Sequence, residues 1–140
     1  MPVTDDEGLR ELLDLRRLAV VGCSTTPGKA AHDVPAYLQD RGYEIHPVNP
    51  FAEEVLGREA ADSLSGVDAA VDLVEVFRPS DEVPGIVSAA IDRVEDRGDL
   101  RAVWLQLGIE HDEAAARAES AGLRVVQDRC MKVEHERLVG

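Results

Sequence analysis

Gly22, Cys23, Ser24, Thr25 and Lys29 stand together in AVVGCSTTPGK (residues 19–29), an apolar run that ends in a turn. A glycine there lets a phosphate approach the backbone without meeting a side chain. Ser24, Thr25 and Thr26 add hydroxyl donors, and Lys29 adds a full positive charge. A helix starting just after the turn would aim its unpaired N–H groups and its positive dipole end at the same spot. This set of groups suits a phosphorylated ligand, the plain alternative being an ordinary connecting turn. A dinucleotide fingerprint would read G-x-G-x-x-G, and Ser24 and Pro27 occupy its second and third glycine positions. A Walker loop is excluded, because Lys29 is followed by alanine rather than by serine or threonine.

Other candidates fall at the ends of later apolar runs. Asn49-Pro50 follows Val48, where NAD-binding folds place a carboxylate for the ribose hydroxyls. Asparagine cannot accept a diol as a carboxylate does, but Glu53 and Glu54 are near enough to keep NAD open as an alternative. Phe77-Arg78-Pro79 follows DLVEVF; Arg78 could pair with a phosphate and Phe77 could pack on a purine, or they are a surface arginine and a core phenylalanine. Trp104 in VWLQLG reads as core, while Gln106 and Gly108 at the end of that run could line a pocket. Cys130, in DRCMKVEH, is placed to reach the same rim with Lys132 favouring its thiolate, or it is a small buried apolar residue. Cys23 and Cys130 show neither zinc spacing nor a C-x-x-C pair and are expected as free thiols. His32, His46, His111 and His135 have no i, i+4 partner for a metal and no serine–histidine–aspartate context. His46 is expected half-buried in a strand, and His111 and His135 on solvated helix positions. No catalytic residue and no metal ligand are assigned.

The elements that would position these residues alternate regularly. Thr4-x-x-Glu7 reads as a capping box opening a short helix. RLAVVG, YEIHPV, DAAVDLVEVF, RAVWLQLG and LRVVQD read as strands. Between them lie helical stretches at about 31–41, with Pro35 tolerable only near the first turn, from a Ser80 cap onward, and over HDEAAARAESAG; CMKVEHERL closes the chain as a helix. The segment 51–67 is irregular, with room for an edge strand at 58–61 and a short helix from Ser63. This pattern predicts an α/β fold: a three-layer, doubly wound, Rossmann-like parallel sheet of five or six strands with helices on both faces. It is expected as a single domain, 1–140, with 1–14 an N-terminal capping helix on a core of 15–140. An edge strand near 59 would complete a six-strand Rossmann order. The loops GCSTTPGK and FRPSD then face each other across the crevice at the switch point.

Composition narrows the partners. Twenty-eight acidic residues against 15 basic ones give a net charge of −13, which argues against nucleic acid. Only Lys29 and Lys132 are lysine, and such an acidic, lysine-poor chain fits a halophilic cytoplasm, where salt screens self-repulsion. No run reaches the length of a membrane span and MPVTDDEGLR has no signal-peptide character, so a cytoplasmic location away from membranes is expected.

In order and spacing, AVVGCSTTPGK, YEIHPVNP, EEVLGREAADSL, VDLVEVFRP and AVWLQLGIEHDEAAARAESAGLRVVQDRCMKVEH resemble the stand-alone CoA-binding proteins. Their Rossmann domain is similar to the N-terminal CoA-binding domain of the succinyl-CoA synthetase alpha subunit, and the resemblance covers about residues 14–138. It implies that coenzyme A or an acyl-CoA is the ligand. Gly22, Ser24, Thr25 and Lys29 would lie at the phosphates, with Cys23 beside them among the binding residues, Val48, Asn49 and Pro50 near the adenosine or pyrophosphate, and Phe77 and Arg78 across the crevice. Trp104, Leu105, Gln106 and Gly108 would border the pantetheine path. Family members often carry basic residues just after the first turn, where this chain has Ala30, Ala31 and His32. The phosphohistidine domain of the synthetases has no room in 140 residues. The resemblance therefore implies a non-catalytic binding or regulatory module rather than a ligase, with a homo-oligomer or a protein partner possible. A mixed disulfide between Cys23 or Cys130 and the thiol of CoA is a narrower option. An NAD(P)-binding oxidoreductase or redox-sensing domain is the alternative.

Overall fold

The computed structural model describes residues 1–140. Five parallel strands form the sheet: β1 (Arg17–Val21), β2 (Glu44–Val48), β5 (Leu73–Val76), β6 (Ala102–Leu105) and β7 (Arg124–Val126), in spatial order β2-β1-β5-β6-β7. Two further short strands, β3 (Glu54–Val55) and β4 (Arg58–Glu59), pair only with each other. Helices α1 (Asp6–Leu13), α2 (Ala30–Gln39) and α5 (Met131–Leu138) cover one face, and α3 (Val83–Arg97) and α4 (Asp112–Ser120) the other.

The alternation of side chains along each strand builds both layers. Leu18, Val20, Leu73 and Trp104 face Leu9, Leu12, Leu38 and Met131 on the first side. Ala19, Val74, Val76, Val103 and Leu105 face Val83, Val87, Ala90 and the alanines of α4 on the second. Each such aliphatic side chain contributes roughly 1.5–3 kcal/mol on burial. Trp104 is buried too, and its indole N–H donates to the Arg129 carbonyl at 2.9 Å. The expected α/β fold and its parallel, two-faced sheet are therefore observed.

Several local expectations need correction. The sixth strand is reduced to one parallel bridge, Val48 with Ala61, because residues 58–59 are drawn into an antiparallel hairpin with 54–55. That hairpin turns through Leu56 and Gly57, both at positive φ, as a tight two-residue turn requires. The order is thus that of a six-strand Rossmann sheet with a vestigial third strand. Asp5, not Thr4, caps α1, its carboxylate accepting the Gly8 N–H at 3.1 Å. Ser80 does not cap α3; a 3-10 turn over Ser80–Glu82 precedes that helix, and the Ser80 hydroxyl accepts the Glu110 N–H at 3.1 Å. The helix expected from Ser63 is a single 3-10 turn, Leu64–Gly66. His111 caps α4, its Nδ1 accepting the Ala114 N–H at 3.1 Å. His135 is buried, with Nδ1 2.9 Å from the Tyr37 hydroxyl. No helix is long and apolar enough to cross a membrane.

Candidate functional site

Strand order reverses between β1 and β5, and the crevice opens beyond their carboxyl ends, where a doubly wound sheet binds its ligand. It encloses about 950 Å³. Three segments floor it: Val21–Ser24 with Lys29 and Ala31, Val48–Phe51, and Phe77–Arg78. Asp62, Ser63 and Leu64 form one side, and Gly85, Ile86 and Ala89 of α3 close the other.

The first loop is held by backbone bonds rather than by a glycine-rich run. Gly22 has φ +85° and donates its N–H to the Val48 carbonyl at 3.0 Å. A Cβ at that position would lie 2.8 Å from Arg78 Cδ and 3.1 Å from the Phe77 carbonyl oxygen, so the two loops do face each other, in contact. Ser24 donates its N–H to the Ala31 carbonyl at 3.0 Å, and its hydroxyl accepts the Thr26 N–H at 3.0 Å. Asp33 accepts the Gly28 N–H at 3.1 Å and contacts His32 Nδ1 at 2.9 Å; these two, His32 foremost, hold its carboxyl below the usual range. Cys23 and Ala31 line the crevice, and their backbone N–H groups donate to no protein acceptor. Lys29 N-caps α2, lines the crevice and makes no ion pair. Donors without acceptors and an unpaired ammonium thus share one corner of the crevice, surroundings of the kind an anion favours.

Asn49 ties the second loop to the first. Its side-chain amide donates to the Cys23 carbonyl at 2.9 Å and its Oδ1 accepts the Phe51 N–H at 2.8 Å. Both polar ends of that side chain are thus used within the protein. Phe51 itself is 96% exposed on the rim. Across the crevice Arg78 is engaged by Glu82 through two bonds, Nε–Oε1 at 3.1 Å and Nη2–Oε2 at 2.7 Å. This pairing leaves the Arg78 methylenes against Gly22 and the side chain about half exposed, at 47%.

Of the residues expected at the ligand, Gly22, Cys23, Ser24, Lys29, Val48, Asn49, Pro50, Phe77 and Arg78 lie on this wall. Thr25 sits outside it, in the exposed part of the turn. Gln106 and Gly108 are also outside it. Gln106 is buried, its Oε1 3.4 Å from the Met131 N–H, and the Gly108 N–H donates to Asp128 at 2.6 Å. Cys130 lines a separate groove with Val3, Leu107 and Val133, away from the crevice. Cys23 is fully buried, and burial, reinforced by nearby Glu75, pushes its thiol up to about 12. That removes it as a thiol for mixed-disulfide chemistry at neutral pH.

Asp62, Ser63, Leu64, Ile86 and Ala89 were not foreseen as wall residues. The first three depend on how segment 61–69 folds back, which has no local signal. Ile86 and Ala89 share one helix face at i, i+3 with the core-facing Val83 and Ala90, so periodicity alone assigns them to the core. Segment 61–69 is held by Arg93, whose guanidinium donates to the carbonyls of Leu64, Val67 and Ala69 at 3.1, 2.9 and 2.8 Å. Its partner is Asp99, at 3.1 Å.

The strand order and the crevice at the switch point define a Rossmann-like α/β domain. Residues 16–136 match the CoA binding domain family, and the chain belongs to that family. It is 38% identical over 128 residues to the uncharacterized protein YneT of Bacillus subtilis (strain 168), covering 91% of each. A hypothetical protein from Pyrococcus horikoshii OT3 of solved structure superposes with a TM-score of 0.91 at 36% identity, over 100% of this chain and 97% of that one. A third relative is the acetate–CoA ligase [ADP-forming] II of Archaeoglobus fulgidus, 27% identical over 128 residues. That match takes in 89% of this chain but 18% of the ligase.

Proposed function

We propose that the crevice binds coenzyme A or an acyl-CoA and that the chain acts as a binding or regulatory module without turnover of its own. The observation that carries this reading is the corner formed by the free Cys23 and Ala31 N–H groups, Lys29 and the Arg78 guanidinium, on the wall of a crevice of about 950 Å³ in a chain of this family. Backbone donors and one ammonium suit a pyrophosphate, and Arg78 adds bidentate capacity once a phosphate competes with Glu82. Leu64, Ile86 and Ala89 offer apolar surface on the far wall for the uncharged parts of the ligand. NAD is disfavoured because both polar ends of Asn49 are already bonded and no carboxylate stands at the end of β2 on the wall. The acidic surface, at −13, fits a cytoplasm of high ionic strength, so binding is best measured in molar salt.

Calorimetric titration with CoA, acetyl-CoA and NAD tests this. Saturable heat with CoA or acetyl-CoA and none with NAD is expected. Binding of NAD with no response to either CoA species would overturn it.

A further inference from the structure

Glu75 lies in the middle of β5, between Val20 of β1 and Trp104 of β6. It is fully buried, and neither carboxyl oxygen has a hydrogen-bond partner. A buried carboxylate without a cation or donors is held neutral instead, since the charged form loses its hydration. Burial does push Glu75 up, to about 8. The groups around it offer no rescue. Cys23, in the loop after β1, and Tyr43, just before β2, are the titratable groups that feel Glu75, and both would become anions. The α1 residues buried in this layer are Gly8, Leu9, Leu12 and Leu13, and those of α2 are Val34, Pro35 and Leu38. From α5 comes Met131, with Glu134, already paired with Arg129 and Arg137, and His135 beyond. The His135 ring lies 5.7 Å from that of Tyr43, and its protonation is disfavoured first by burial and then by Arg41 and Arg16. No cation is paired with Glu75.

Its place in the fold connects it to the crevice. Two residues on, Phe77 donates its N–H to the Val21 carbonyl at 2.9 Å, and the next residue, Arg78, lies over Gly22. On the other side, Cys23 shares the apolar layer in which Glu75 is buried, and it also lines the crevice, its N–H unbonded. A charge at Glu75 would thus sit behind the anion corner in a medium that screens it poorly.

We infer that ligand binding is coupled to the protonation of Glu75: the crevice takes its polyanionic ligand while Glu75 is neutral, and ionisation of that carboxyl weakens binding. This rests on the crevice being the CoA site. Coupling is reciprocal, so a bound ligand retains the proton on Glu75, and the complex forms with net proton uptake where the free protein has begun to lose it.

Acetyl-CoA, which has no free thiol, is titrated into the full chain and into Glu75→Gln between about pH 7 and about pH 9, above the phosphate ionisation near 6. The unsubstituted chain is expected to lose affinity by about fivefold or more across that range, and Glu75→Gln by less than about twofold. Repeating the titration near pH 8 in buffers of different ionisation enthalpy should show proton uptake only in the unsubstituted chain. Matching profiles, with acetyl-CoA bound by both forms, would sink the coupling and leave the CoA reading standing. No binding by either form at any pH would remove both. If the variant does not fold, the infrared band of a neutral buried carboxyl in the unsubstituted chain decides. It should strengthen near pH 8 when acetyl-CoA is added, and an unchanged band overturns the inference.

Discussion

Ser24 donates its backbone N–H to the Ala31 carbonyl at 3.0 Å, and that oxygen is free because Pro35, four residues on, has no N–H to give it. A proline inside a helix normally weakens it. Here the defect in α2 supplies the acceptor that anchors the loop after β1.

Replacing Pro35 by alanine restores the competing helical donor. Helix interiors prefer alanine over proline by about 3 kcal/mol, so the chain should become more stable to urea, by about 1 kcal/mol or more. The Ser24 anchor should loosen, and acetyl-CoA affinity should fall about three- to tenfold in calorimetry. Rising stability with unchanged affinity would show the anchor to be dispensable.

Gly22 is held at φ +85° with the Arg78 side chain against it. Gly22→Ala meets Arg78 Cδ at 2.8 Å and adds left-handed strain of roughly 1–2 kcal/mol. Thermal unfolding should shift down by several degrees. Ligand affinity should drop about tenfold, because the arginine must move off the site it serves.

Glu75 also sets a pH dependence of folding. Its carboxyl titrates near its ordinary value in the unfolded chain but at about 8 in the folded one. Between those values the folded state holds the proton that the unfolded state has lost. The stability associated with the neutral carboxyl is therefore complete below the unfolded value and is lost progressively as pH rises to about 8. Glu75→Gln should remove that decline, leaving the variant more stable than the parent near pH 8 by on the order of 1–3 kcal/mol. Urea unfolding at several pH values reads this directly, and parallel curves would count against it.

Arg93 is 3% exposed and spends its guanidinium on three loop carbonyls and Asp99. Arg93→Ala should cost about 3–5 kcal/mol, because Asp99 and the carbonyls lose their donors in a poorly hydrated place. Arg93→Lys should recover only part of this in the same urea measurement, one ammonium being unable to span carbonyls that a planar fork reaches together.

Much of the fold was legible because it is written in period. Five short apolar runs, three of them ended by glycine or Asn-Pro, mark the strands, and their spacing admits only crossover helices. The facing of the Gly22 and Phe77–Arg78 loops followed from topology alone. What escaped depends on partners distant in sequence. Ala61 makes a single bridge because residues 54–59 close on themselves, and Ser80 leaves its helix to meet Glu110. Gln106 turns into the core at α5 rather than toward the ligand. His135 looked solvated on its own helix and is buried because Tyr37 and Tyr43 meet it from elsewhere. Glu75 carried a visible signal, a carboxylate among alternating apolar residues, whose meaning depended on what packs above it.

The ends of the sheet bear on how this chain behaves in a crowd. Beyond β2 lies the Ala61 bridge, with Pro47 in the strand offering no donor, and beyond β7 the Val3 N–H takes the Val125 carbonyl at 2.7 Å. Each margin is short and partly occupied, so a neighbouring chain finds no long template to extend. Strand-on-strand growth into fibres is thereby discouraged.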